Sequence, residues 1–368
     1  MMAVSNVVAE RPATRSLRRP VHFVCPPDQV WPELLDGAPV ELSMETLLER
    51  SLQNVDCWVS RVCYELRRAG CECTYATQTR RGAINVCDAV TLRWTNRGVR
   101  PYVMIARGDK HWPMLANFVA SQNRQDAGRR NGIFIPIWLQ AGILPRDPAR
   151  GAAIRKLSFK GWPANLYADF RSDSFRAALA ERGVDYDIGV EAFRSGRPNW
   201  ADYRDCDLVI AVRNLTEFDI RTKPGSKLVN AWWGETPALL GPEPAYAEMR
   251  RSELDYIEVR TVEDALAAID RLIADPELYA AMVENGRVRR REWTDELFRD
   301  MWIDALNGVV AADFEAWERR SGLSRVAWVA VRSVKEQVSR RRRWRRTQSG
   351  PRVLDAPPSA PRPAEPAS

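Results

Sequence analysis

The chain has 368 residues, enough for two ordinary domains, and 45% of them are hydrophobic, so each can bury a core and a disordered chain is excluded. Eight cationic side chains against Glu336 in residues 332–346 account for the whole net charge of +7, so the rest is neutral and a broad basic face for nucleic acid is not expected. With 2 histidines and 7 cysteines in no ligand spacing, neither a metal nor a disulfide framework is expected; the cysteines read as reduced and cytosolic.

Residues 1–20 are polar and basic and read as a disordered N-terminus. The apolar run at 21–25 predicts a first strand, with no signal-peptide core before it. A helical period over 53–69 ends at Gly70, whose freedom at positive φ suits a helix C-terminus. Strand-like runs follow at 71–76, 83–92, 102–106 and 118–120. Such alternation predicts an α/β domain over 21–145, with the Pro- and Gly-punctuated segment 132–147 crossing to the next.

The second α/β domain is placed at 146–305. Strands are expected at 154–159, 186–189, 207–213, 237–240 and 256–259, and helices at 164–182, from Ser226, from Tyr246, at 262–274 and at 276–291. The run 207–213 is apolar almost throughout, as in buried parallel sheets. Asp275-Pro276 is a helix stop followed by a proline start. Residues 306–346 read as a crossing segment and an amphipathic helix: Leu323, Ala327, Val331, Val334 and Val338 recur at helical spacing before Arg340, Arg341, Arg342, Arg343, Trp344, Arg345 and Arg346. An apolar stripe ending in arginines suits an anionic membrane surface; a solvated tail, a stripe packed on the protein and, third, nucleic-acid binding are the alternatives. Residues 347–368, rich in Pro, Ala and Ser, read as a disordered tail.

The most informative stretch is Lys223-Pro224-Gly225-Ser226-Lys227-Leu228-Val229-Asn230-Ala231-Trp232-Trp233-Gly234-Glu235-Thr236-Pro237. A polar turn enters a helix that starts Ser-Lys and carries Asn230 three residues on, then Gly-x-Thr-Pro breaks it before a strand. A helix N-terminus with a lysine beside it is an anion site. The stretch resembles the donor-sugar motif in the C-terminal domain of two-Rossmann-domain (GT-B) glycosyltransferases. It is nearest to the Glu-Lys-Leu-x-Asn-Ala pattern of the fucosyltransferases, and it is also similar to the donor helix of the retaining group. Ser226 stands where the fucosyltransferases have glutamate, and Asn230 where the retaining group has its second glutamate.

That resemblance, good over 200–305, implies two Rossmann-like domains facing across a cleft and a C-terminal helix crossing back. It implies a metal-independent glycosyltransferase without a cofactor, moving a sugar from a nucleotide diphosphate sugar to a glycan or lipid-linked acceptor; the cysteines and the arginine-rich helix place it in the cytoplasm, peripheral at the inner membrane face. A catalytically inactive relative that binds nucleotide or glycan, and a nucleotide-sugar epimerase on the same scaffold, are the alternatives.

Carried over residue by residue, Lys227 meets phosphate and Asn230 meets ribose or sugar. Ser226, Arg213 after the apolar strand, Lys160 after the first strand of that domain and Glu243 complete the donor-binding candidates; each also reads as a turn, cap or ion-pair residue. In the first domain, Arg107-Gly108-Asp109-Lys110-His111-Trp112 follows a strand, and Asp109 and His111 are candidates for taking the acceptor proton. The same loop also reads as a polar turn capping a helix at Pro113. The Asp-x-Asp pairs at 185–187 and 205–207 read as structural rather than as metal ligands.

Overall fold

In the computed structural model, residues 16–37, 40–93, 96–196 and 199–355 are described. The chain divides into two compact units, Met1–Gly142 with Glu292–Val338, and Ile143–Arg291 with Ser339–Ser368. Each is α/β with a wholly parallel sheet.

The first unit opens with β1 (Val21–Val24), followed by α1 (Met44–Arg50), which Ser43 caps by accepting from the Thr46 N–H. A π-helical turn at Asp56–Ser60 leads into α2 (Arg61–Arg68), and Gly70 turns the chain out at φ 82°. Then come β2 (Thr74–Ala76), β3 (Ile84–Asp88), β4 (Tyr102–Ala106), β5 (Phe118–Ser121) and β6 (Gly132–Phe134), in the spatial order β2-β1-β3-β4-β5-β6. Every residue of β3 and β4 is buried, as expected of strands covered on both faces. The segment 132–134, read as part of a crossing, is the edge strand of this sheet; its backbone pairs with β5.

The second unit contains β7 (Lys156–Ser158), α3 (Asp173–Ala180), β8 (Asp185–Asp187), α4 (Val190–Arg194), β9 (Leu208–Ala211), α5 (Glu217–Ile220), α6 (Ser226–Trp233), β10 (Ala238–Leu240), α7 (Pro244–Met249), β11 (Ile257–Glu258), α8 (Val262–Ala274) and α9 (Pro276–Arg289). Its spatial order is β11-β10-β9-β7-β8. Both sheets therefore have the doubly wound 2-1-3-4-5 order, in which the first strand is flanked by the second and third. Thr261 and Asp264 form a capping box on α8, and Asp275 caps α9 ahead of Pro276. The single helix expected over 164–182 is instead two 3-10 turns, Pro163–Asn165 and Ala168–Arg171, and then α3. The Tyr167 N–H bonds the Val212 carbonyl at 2.9 Å, which ties that stretch to the sheet, and Ser172 starts the helix afresh.

From Glu292 the chain belongs to the first unit again, through α10 (Asp295–Asn307) and α11 (Val309–Glu318), which break at Gly308. Phe298, Trp302, Phe314 and Trp317 are buried in that unit's main core with Trp31, Trp58, Tyr64 and Tyr102. α12 (Gly322–Ser349) has no buried residue. Of the terminus read as disordered, residues 1–15 lie outside the described residues; Arg18 donates its N–H to Asn307 and Arg19 pairs with Glu315. Of the C-terminal tail, 356–368 lie outside them, while Pro351 and Val353 bond the backbone of Glu217 and Leu215.

Candidate functional site

In an open parallel sheet, ligands bind beyond the carboxyl ends of the strands, where the winding direction reverses. In the second unit that point lies between β7 and β9. β7 runs out into Phe159, Lys160 and Gly161, β9 into Val212, Arg213 and Asn214, and β10 into Gly241, Pro242 and Glu243. Helix α6 enters beside them.

Two of the candidates from different loops meet directly. Arg213 Nη1 donates to Glu243 Oε2 at 2.8 Å, with the carboxylate fully buried. Glu243 stands at the N-cap of α7 with Pro244 at the first helical position, but its side chain does not cap the helix. Its second oxygen, Oε1, is buried and has no hydrogen-bond partner. Burial pushes this carboxyl above its ordinary pKa, against the pull of Arg213, Lys227 and Lys223. An orphaned carboxylate oxygen of this kind is costly, which marks the place for a missing donor.

Lys227 is the second group. Part of the residue remains exposed, yet its Nζ lies 4.7 Å from the centre of the Phe159 ring and donates to the Lys160 carbonyl at 2.5 Å. Gly161 makes this approach feasible: a Cβ there would stand 2.6 Å from Nζ and 2.9 Å from Phe159 Cζ. Desolvation is the main cause that pushes the ammonium down to about 7; the Arg213 charge adds to it and Glu243 opposes it. An ammonium has three donors, and its one hydrogen bond among the described residues leaves capacity for an anion.

Ser226 is the first residue of α6, and no side chain caps that helix, since Gly225 holds the N-cap. Asn230, one turn on, has a buried Oδ1 with no partner. Lys160 contributes its carbonyl alone: its Nζ donates to the carbonyls of Asp202 (2.5 Å) and Asn199 (3.5 Å) and lies over the Tyr203 ring. These contacts anchor the segment around Trp200.

Asp109 and His111 lie in the first unit, after β4. Asp109 pairs with the adjacent Lys110 at 3.4 Å, and His111 is half-buried next to buried Trp112. Arg107 in the same loop is buried against Asp126 at 2.9 Å and Asn123. Three of the four Asp-x-Asp carboxylates are engaged by cations: Asp207 by Arg146 and Arg150, and Asp205 and Asp187 by Lys156.

Sequence reasoning overlooked the side chains that shape the site. Phe159 is the apolar floor that desolvates Lys227, and the Tyr246 hydroxyl is buried without a partner on the helix that Glu243 precedes. Trp162, directly after Gly161, packs edge-on against Phe193 and Trp200. The available signal was the apolar and aromatic residues flanking Lys160-Gly161. A separate cavity of about 330 Å³, lined by Arg250, Tyr256, Glu258 and Met282 among others, shares none of these residues.

No known protein family and no curated protein matches the sequence. Among solved structures, the chain is similar to TarM at 10% identity and a TM-score of 0.46, over 62% of this chain and 55% of that one, so it spans about half of TarM's length. It is similar to Anabaena HepE in complex with UDP at 12% identity and a TM-score of 0.43, over 74% of this chain and 97% of that one. It is similar to AviGT4, a glycosyltransferase involved in avilamycin A biosynthesis, at 14% identity and a TM-score of 0.46, over 80% and 98% of the two chains.

Proposed function

We propose that the second unit binds the diphosphate of a nucleotide sugar and that the protein is a glycosyltransferase of the GT-B type. The observation that carries this reading is the poorly hydrated Lys227 ammonium at the carboxyl edge of the sheet, beside Arg213 and the uncapped N-terminus of α6. A diphosphate brings the charge and acceptors that this cluster lacks, and Asn230 offers its amide to the attached ribose or sugar.

Lys227, Arg213 and the helix N-terminus then hold the departing diphosphate as its charge grows, with fixed dipoles and no metal. The acceptor, a glycan or lipid-linked glycan, belongs to the first unit, with Asp109 or His111 as the proton acceptor. The protein acts in the cytoplasm. Seven cysteines, odd in number and scattered along the chain, suit a reducing compartment.

The test is a thermal-shift screen of nucleotides and nucleotide sugars against the protein and its Lys227→Ala variant. A ligand present at 100 times its Kd stabilises the folded state by about 2.7 kcal/mol. One nucleoside diphosphate or its sugar is expected to raise the wild-type Tm by several degrees and the variant's by little. If no member of the panel shifts the wild type, or if it shifts both proteins equally, Lys227 is not a phosphate ligand. A ligand that binds without turning over when glycan acceptors are supplied would leave a binding protein, not a transferase.

A further inference from the structure

Helix α12 presents two different faces. On one, Trp328 and Val329 pack against the core of the first unit, and Glu336 accepts the Met114 N–H at 2.9 Å. On the other, Leu323, Val326, Val331, Val334, Val338 and Trp344 are 45 to 85% exposed. At about 100° per residue these six fall within an arc of roughly 140°, turned away from Trp328, Val329 and Glu336. An ordinary surface helix carries its polar residues on that side. Arg341 and Arg345 continue the same arc, and Arg340 and Arg342 flank it.

We propose that this outward face is a docking surface for an anionic lipid bilayer, with the apolar stripe entering the interface and the arginines meeting the head groups. The order of the residues argues for that occupant. A basic segment with a tryptophan beside an exposed apolar stripe matches a surface that is anionic outside and hydrocarbon within. Nucleic acid would use the arginines and leave Leu323 and Val334 in water. A second copy in parallel would set arginine against arginine, and the helix's lone acidic residue, Glu336, is turned to the protein. The proposal does not depend on what the second unit binds.

Flotation of the full chain with vesicles tests it, using phosphatidylcholine alone and phosphatidylcholine mixed with phosphatidylglycerol. The protein is expected to float with the mixed vesicles, less so as salt rises. Replacing Arg341, Arg342 and Arg345 with Gln is expected to weaken binding about 100-fold, at several-fold per arginine. Leu323→Ser with Val334→Ser is expected to weaken it about ten-fold or more. Both sets are exposed, so circular dichroism and Tm should stay at wild-type values. Equal binding to neutral vesicles, or binding unchanged by both sets, overturns the proposal. So does duplex binding without vesicle binding, or a dimer that Val334→Ser dissolves in a protein that ignores vesicles.

Discussion

The ammonium of Lys227 trades hydration for one carbonyl and the face of Phe159, so it holds its proton weakly, with a pKa of about 7. That value lies below the 10.5 of an exposed lysine, so between these two limits the unfolded chain binds more protons than the folded one. Stability therefore rises with pH across that window, because the cost of burying the charge is fully present below pH 7 and is relieved above it. An anionic ligand reverses the preference: it needs the charged lysine and takes up a proton on binding. Diphosphate affinity should accordingly fall by up to about ten-fold per pH unit between roughly pH 7 and 9. A phosphate's second ionisation, near pH 6, is complete by then, so the slope belongs to the protein. Calorimetry in two buffers of different ionisation enthalpy checks this by counting the protons taken up. Lys227→Met should bind more weakly and with a flat pH profile. A wild-type profile equally flat above pH 7 would show that the lysine is already charged and hydrated.

At the scale of elements, the strands of the second unit start from a polar knot and end at the candidate site. Asp207, wholly buried just before β9, takes Arg146 at 2.7 Å, Arg150 at 2.6 Å and the N–H groups of Arg155 and Lys156. Burial alone would raise its pKa, but the guanidiniums and the Arg155 N–H hold it below the ordinary 3.8. Its stabilisation is therefore present above that pH and lost as the pH falls below it. Asp207→Asn leaves two arginines without their counter-charge and should cost about 3–5 kcal/mol in urea unfolding at neutral pH. The deficit should shrink as the pH falls below 3.8, where the stabilisation from the ionised carboxyl is progressively lost; a constant deficit would assign the effect to packing.

The sequence disclosed this unit where local signals agreed. β9 was visible as an apolar run, α9 through Asp275 and Pro276, and α6 through the turn before Ser226. It misled where a contact far along the chain decided the matter. Residues 163–171 turn in 3-10 geometry because Tyr167 bonds Val212, a partner no helical period reveals. Nor does the sequence reveal that the Lys160 ammonium turns toward Asn199 and Asp202, since a flexible stem follows whichever buried carbonyls tertiary packing supplies. Arg213 and Glu243 were candidates because both follow apolar strands, at whose ends such sheets bind ligands, but nothing local showed that they pair with each other.

At the scale of the molecule, the two units differ in how the chain assembles them. Residues 143–291 of the second unit are one continuous stretch holding its whole sheet and the Lys227 cluster. Both units take in a later segment, Ser339–Ser368 in the second, but in the first that segment supplies main-core residues: Phe298, Trp302, Ile303, Leu306, Phe314 and Trp317, all encoded after residue 291. Trp58 meets Trp302 at 6.4 Å, Trp138 meets Phe298 at 6.2 Å, and Tyr102 meets Phe314 at 5.5 Å. Removing a large aromatic from a core costs about 3–5 kcal/mol, against a total stability of about 5–15 kcal/mol for a domain. Losing this set at once therefore exceeds what the fold can absorb. A fragment of residues 143–291 should fold alone, with a cooperative melt and the same ligand-induced Tm shift as the intact chain. A fragment of residues 16–142 should lack near-ultraviolet circular dichroism and bind hydrophobic dyes. Supplying residues 292–338 in trans, or joining them through a linker, should restore its tertiary signal. Cooperative folding of 16–142 by itself would mean that the returning helices cover a finished core rather than complete one.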